Sequence, residues 1–263
     1  MIKLNNGVMM PGVGFGTWQI SSSEVIKNAI ENGYRMIDTA PSYDNESIVG
    51  EAIRNSNVGR SKLFVITKLR TEDQGYDSTI AAFEKSLQQL ELDYLDLYLI
   101  HHPTADQQKY LESWRAMEKL YKNKKVRAIG VSNFWPAQLE QIQNHGTINP
   151  MVNQIQTSPY RQQKTIRKYC TANYIVVQSS APLAEGNELL RDEVIVEISN
   201  KLDKSPAQII LRWHLQNGLT PIPKAVGSKH QKQNLQLYDF ELSPDDFNKI
   251  NSLNRQIQPQ INT

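Results

Sequence analysis

The chain has 263 residues, with 29 Lys and Arg against 27 Asp and Glu for a formal charge of +2. That length can bury a substantial core as one domain, and basic residues this scattered exclude a nucleic-acid footprint. A single cysteine excludes an internal disulfide, and no run approaches the roughly 20 apolar residues of a membrane span, so the expectation is a soluble, cytoplasmic protein without membrane or nucleic-acid partners.

The opening "MIKLNNGVMM" lacks the apolar stretch and cleavage site of a signal peptide. It reads as a hairpin instead, because Asn6-Gly7 tolerates positive φ at both turn positions and Ile2, Leu4, Val8 and Met10 flank it. Short apolar runs follow at 13–18, 34–39, 63–68, 95–101, 126–133, 151–156, 174–180 and 219–224. Helical patterns lie between them. In 77–90, Ile80, Phe83, Leu87 and Leu90 recur at three and four, with Asp77 or Ser78 as the expected cap. Leu111, Trp114, Met117 and Leu120 repeat the pattern, and Ser205-Pro206 is a cap followed by proline at the first helical position. Cys170 falls in a helical stretch and reads as a small buried residue, and the basic "KNKKVR" at 122–127 reads as a helix end favoured by its dipole.

Eight strand candidates, each followed by helical sequence, predict an α/β fold, a (β/α)8 TIM barrel with an N-terminal hairpin at 1–11. The rival, a doubly wound open sheet, lacks its usual signature: Gly12, Gly14 and Gly16 are spaced G-x-G-x-G and no helix follows them. No linker marks a second domain, so one domain is expected over 1–263, ending in a polar, loosely held tail at 255–263.

In such a barrel the active site gathers at the C-terminal strand ends. Those ends carry Asp38, Tyr43 in the loop beyond it, Lys68 and His101, each costly beside a buried strand unless partnered. Singly, each reads as an ordinary ion pair, surface aromatic or core histidine; at successive strand ends they partner one another. A tyrosine near its usual pKa of about 10 is a poor acid at neutral pH. A Lys68 ammonium would lower that value, Asp38 would hold the lysine charged, and His101 would orient a carbonyl. Such a site protonates carbonyl oxygen, and since no side chain delivers hydride, a cofactor must.

"IDTAPSYDNE" (37–46), "ITK" (66–68), "DLYLIHHP" (96–103), "GVSNF" (130–134) and "IPK" (222–224) together resemble the motifs of the aldo-keto reductase family, in family order and across nearly the whole chain. The likeness is greatest to bacterial members related to 2,5-diketogluconate reductase. The resemblance implies carbonyl reduction with NADP(H), Tyr43 as general acid, Asp38 and Lys68 as its tuning pair, and His101 as carbonyl orienter. It implies that Ser132, Asn133 and Gln154 hold the nicotinamide carboxamide, with Thr17, Trp18, Ser180, Leu183, Lys224 and Asn234 completing the cofactor groove. It implies a monomer acting on a small carbonyl substrate. Trp18, His102, Phe134 and Trp135 are the expected pocket walls.

The chain also departs from the family pattern. His102 replaces the usual tryptophan after "LIH". Neighbouring residues of an extended segment face opposite ways, so His101 and His102 are not expected to share a metal. Ser180 stands where an aromatic stacks on the nicotinamide. Ala225 replaces a serine, Ile210 a small residue near the adenine, and Gly227 and His230 replace two arginines that read the 2′-phosphate, which leaves NAD(H) open as an alternative. Two other readings stand beside the reductase: a non-catalytic or weakly active nucleotide-binding barrel with an eroded cofactor site, and Schiff-base chemistry at Lys68 or Lys224.

Overall fold

The computed structural model describes residues 1–184 and 188–255. The expected polar tail lies, from residue 256 onward, outside them. The chain begins with an antiparallel pair, β1 (Ile2–Lys3) and β2 (Met9–Met10), in the register Ile2 to Met10. Its turn differs from the expected one. Only Gly7 takes a positive φ, at 87°, and the loop closes by Gly7 N–H to Leu4 O and Leu4 N–H to Val8 O, both 2.9 Å. Asn6 keeps ordinary backbone angles and uses its side chain to bond Arg127 O across the barrel floor at 3.0 Å.

Among the described residues, eight parallel strands then follow in chain order. They are β3 (Phe15–Gly16), β4 (Met36–Asp38), β5 (Phe64–Leu69), β6 (Leu97–Ile100), β7 (Ile129–Ser132), β8 (Val152–Gln156), β9 (Val176–Ser180) and β10 (Thr220–Pro221). The first and last segments meet: Gly14 N–H donates to Pro221 O at 3.0 Å and Gly16 N–H to Pro223 O at 3.1 Å, closing the barrel. Both glycines are needed at this seam. A Cβ on Gly14 would lie 2.7 Å from the Ile222 side chain, and one on Gly16 3.0 Å from the Ile222 carbonyl. The G-x-G-x-G spacing is a barrel seam, not a phosphate loop.

Helices cover the outside: α1 (Ser23–Glu31), α2 (Glu46–Asn55), α3 (Tyr76–Leu90), α4 (Gln107–Lys122), α5 (Pro136–His145), α6 (Lys164–Ala172), α7 (Glu193–Leu202), α8 (Pro206–Gln216), α9 (Ser228–Gln233) and α10 (Pro244–Ser252). The Ser205 cap is as expected, with Ser205 N–H bonding Gln208 Oε1 at 3.0 Å and Gln208 N–H returning to Ser205 Oγ at 3.3 Å. The cap of α3 is not: Gly75, at φ 133°, turns the chain into the helix, and neither Asp77 nor Ser78 caps it. Cys170 is fully buried in α6, and burial pushes its thiol up to about 11, an inert packing residue.

The basic 122–127 cluster serves the fold. Lys119 and Lys122 sit in the last turn of α4. Arg127 and Arg60 each reach buried Asp96 at 2.7 Å, at the end of β6 remote from the site described next. No helix among the described residues is long and apolar enough to cross a membrane.

Candidate active site

β4 ends in Asp38, 2% exposed, with its backbone carbonyl held by both the N–H (3.0 Å) and the hydroxyl (2.9 Å) of Thr17. A single 3-10 turn, Pro41–Tyr43, then swings Tyr43 back over the strand end, and Asp44 at φ 53° redirects the chain into α2. Buried Asn45 fixes that turn. It accepts from Thr39 Oγ1 at 2.7 Å and donates to the carbonyls of Thr17 and Ile20 at 2.8 and 3.0 Å.

Lys68, on β5, is fully buried inside the barrel mouth. Its ammonium has three N–H bonds and meets three acceptors: Asp38 Oδ1 at 2.7 Å, Thr39 O at 3.0 Å and Tyr43 Oη at 3.2 Å. Burial alone would discharge it, but Asp38 and Tyr43 together hold its pKa above the ordinary lysine value. A lysine so held is in the wrong state for Schiff-base attack. The phenol corrects an expectation. Burial raises its pKa more than Lys68 lowers it, and Asp38 adds to the rise, so Tyr43 stands above the usual tyrosine value rather than below. Because Tyr43 oxygen accepts from Lys68, its own proton is free to point into the cleft.

His101 lies just past the end of β6, edge-on to Tyr43 with ring centroids 5.8 Å apart. Burial, with help from Lys68 and His102, lowers its pKa to about 2, so the ring is neutral. Ser42 Oγ lies 3.3 Å from its Nδ1, which suits a serine proton donated to Nδ1 and an N–H on Nε2. The two adjacent histidines do not face opposite ways. The strand stops at Ile100, and in the bend beyond it their rings stack at 4.8 Å. Among the described residues no group of three His, Cys, Asp or Glu side chains is placed to hold a metal ion.

Ser132, Asn133 and Gln154 gather beside this group. Asn133 Nδ2 donates to His101 O at 3.0 Å and to Ser132 Oγ at 2.9 Å. Gln154 Nε2 donates to Asp38 Oδ2 at 2.7 Å and to Gln178 Oε1 at 2.6 Å. The polar capacity left over is therefore two acceptors, Asn133 Oδ1 and Gln154 Oε1, and one donor, the Ser132 hydroxyl. A primary carboxamide offers the complement: two N–H donors and one carbonyl acceptor.

One cleft of about 1080 Å³ joins Tyr43 and His101 to these residues and runs on past Ser180, Leu183, Lys224 and Asn234 to His230 and Pro206. Trp18 and His102 line it too. Lys224 is exposed and bonds Gln19 Oε1 at 2.9 Å, 5.4 Å from the centre of the Trp18 ring. Three expectations are corrected. Thr17 is fully buried and engaged with Asp38 O, so it shapes the strand end and does not face the cleft. Phe134 is fully buried, because the left-handed turn at Asn133 (φ 61°) sends it into the helix layer, edge-on to Tyr110 at 5.5 Å. Trp135 begins α5, with its N–H on Gln138 Oε1 at 2.9 Å, outside the cleft lining. Sequence reading missed Ser42, Gln19 and Gln178. A polar residue inside "VVQSS", among the apolar residues of a buried strand, was the available signal for the last of these.

The aldo/keto reductase family model matches residues 12–255. The chain is 49% identical over 258 residues to a glyoxal reductase of Bacillus subtilis (strain 168), covering 97% of this chain and 92% of that protein. It is 39% identical to the methylglyoxal reductase DkgA of Escherichia coli (strain K12), covering 97% and 94%. Among solved structures, MGS-M4, an aldo-keto reductase from a Medee basin deep-sea metagenome library, superposes with a TM-score of 0.96 at 40% identity, over 100% of this chain and 99% of that one. A mutant of Gox0644, solved in complex with NADPH, does so with 0.92 at 40% identity, over 97% and 93%. With the tetrad, the carboxamide-complementary trio and these likenesses together, the chain belongs to the aldo/keto reductase family and is an oxidoreductase that reduces carbonyl groups with NADP(H).

Proposed function

We propose that Tyr43 is the general acid of this reductase, tuned by Lys68 and Asp38, and that it acts on small vicinal dicarbonyl aldehydes of the kind named for its glyoxal and methylglyoxal reductase relatives. The observation that carries the first part is the Lys68 ammonium. All three of its N–H bonds are occupied, and Tyr43 oxygen is one of the acceptors. The cleft fits the cofactor. Ser132, Asn133 and Gln154 complement its carboxamide, and the Lys224 ammonium and the His230 ring border the far part of the cleft as hydrogen-bond donors suited to its phosphates. Bound there, NADPH would supply the hydride for carbonyl reduction.

The chain's own residues do the rest. His101, neutral, donates Nε2–H to the substrate oxygen and orients the carbonyl. Tyr43 transfers its proton to that oxygen as charge develops on it, and the phenolate left behind is held by Lys68. His102, also held neutral by burial, sits within the same mouth and suits donating its ring N–H to the second oxygen of a dicarbonyl. We further propose one domain acting as a monomer in the cytoplasm, a reducing compartment that the lone, buried Cys170 fits.

The test is methylglyoxal and propanal reduction by wild type and Tyr43→Phe, with NADPH binding followed by tryptophan fluorescence. Tyr43→Phe is expected to lose about 10²- to 10⁴-fold in kcat while NADPH affinity stays within error. Equal activity of the two proteins would sink the acid assignment and leave a barrel whose nucleotide site serves another purpose. Equal kcat/KM for methylglyoxal and propanal would sink the dicarbonyl part alone.

A further inference from the structure

Gln178 does not line the cleft. It lies in the middle of β9, is fully buried, and sits opposite Gln154 in the sheet register. Its side chain is nevertheless the far end of a line of buried hydrogen bonds that starts at the proton donor. Lys68 donates to Asp38 Oδ1, Gln154 Nε2 donates both to Asp38 Oδ2 (2.7 Å) and to Gln178 Oε1 (2.6 Å), and Gln178 Nε2 approaches Met36 Sδ at 3.4 Å.

The polarity of this line is forced. An ionised carboxylate accepts and cannot donate, so Gln154 must turn its nitrogen inward. That nitrogen carries a second N–H, which when buried needs an acceptor of its own. Gln178 supplies it by presenting its oxygen, and its own nitrogen is left to a weakly accepting thioether. With both N–H bonds of Gln154 engaged below, Oε1 is its remaining polar atom, and Gln154 borders the cleft.

We propose that Gln178 is a positioning residue for cofactor recognition: by accepting the second N–H of Gln154 it holds the Gln154 oxygen toward the cleft as acceptor for the nicotinamide carboxamide, and so links the Asp38 carboxylate to the cofactor's amide. The proposal rests on the reading of Ser132, Asn133 and Gln154 as the carboxamide site. Without the Gln178 oxygen, the Gln154 amide has one anchor instead of two. Its free N–H can then swing toward the cleft and face the carboxamide's own N–H.

The probe pair is NADP⁺ and its 3-acetylpyridine analogue, in which a methyl group replaces the carboxamide NH₂. Dissociation constants for both are measured on the full-length protein by tryptophan fluorescence and calorimetry, with urea unfolding of the same samples. Wild type is expected to bind NADP⁺ more tightly. Gln178→Met keeps the length and removes the oxygen, and should weaken NADP⁺ by about 3- to 10-fold, the value of one hydrogen bond, while leaving the analogue nearly unchanged. Equal weakening of both ligands, or of neither, means that Gln178 only fills the barrel and overturns the proposal. If Gln178→Met does not fold, Gln178→Glu decides. Burial beside Asp38 keeps that carboxyl neutral, its oxygen still accepts from Gln154, and wild-type discrimination is expected; lost discrimination overturns the proposal. A wild type that binds both ligands equally removes the carboxamide reading and the proposal with it, whereas discrimination retained in Gln178→Met removes the proposal alone.

Discussion

At the scale of single residues, the site is governed by how many donors and acceptors each group has. Lys68 fills all three of its N–H bonds, Gln154 both of its own, and Tyr43 accepts without returning its proton to the lysine. The phenol is raised by burial more than Lys68 lowers it, so it is fully protonated at neutral pH. With Tyr43 as the proposed acid, reduction needs that protonated form. Its kcat should therefore stay flat through neutrality and fall only above the ordinary tyrosine range of about pH 10, while alcohol oxidation, which needs the phenolate, should still be rising there. A reduction rate that falls between pH 7 and 8 would contradict this. Ser180 gives a second prediction. It borders the cleft, whereas the large aromatics there, Trp18 and Tyr43, come from other strand-end loops. Ser180→Tyr should tighten NADP⁺ by about 3- to 10-fold through stacking, read as a lower dissociation constant by calorimetry.

At the scale of elements, close approaches fix where the loops stand. Gly50 in α2 touches the end of α3, where a Cβ would lie 2.2 Å from the backbone oxygen of Leu90. Backbone cannot swing aside as a flexible side chain can, so Gly50→Ala should push α2 outward and cost about 1–3 kcal/mol. Urea unfolding measures the loss. Since α2 follows directly from the Tyr43 turn, a fall in kcat without a change in NADP⁺ affinity is expected to accompany it. An unchanged unfolding midpoint would show that the two helices separate without cost. The apolar spacing in 77–90 and the cap at Ser205 were legible because each depends on neighbours within one or two turns. The cap of α3 was not: Gly75 turns the chain there, with its N–H on Ser113 Oγ of α4 at 2.8 Å, a partner 38 residues away.

At the scale of the whole molecule, closing the barrel buries titratable groups that the open chain leaves hydrated. His214 is fully buried between the carbonyls of Ile210 (2.8 Å) and Thr157 (3.0 Å), and burial outweighs those two acceptors to lower its pKa to about 4. A depressed folded-state pKa contributes stability above the unfolded value of 6.5 and loses it as pH falls toward the folded one. His214 should thus cost about 3 kcal/mol between pH 6.5 and 4, and His101, lowered to about 2, should extend the loss further into acid. Urea unfolding at pH 7, 5.5 and 4.5 measures this, and a flat free energy across that range would refute it.

By itself the sequence determined the strand and helix order, the hairpin, and the presence of an aspartate, tyrosine, lysine and histidine at successive strand ends. Those follow from local periodicity, from turn chemistry and from the cost of burying a charge without a partner. Only the closed barrel decided which atoms those residues share. It turned Phe134 into the helix layer, used Thr17 on a backbone carbonyl, stacked His102 on His101, and raised the Tyr43 phenol that a lysine neighbour alone would have lowered. The reason is physical: direction, burial and hydrogen-bond polarity are set by groups that meet across the barrel from distant parts of the chain, as Gln154 meets Asp38 across 116 positions.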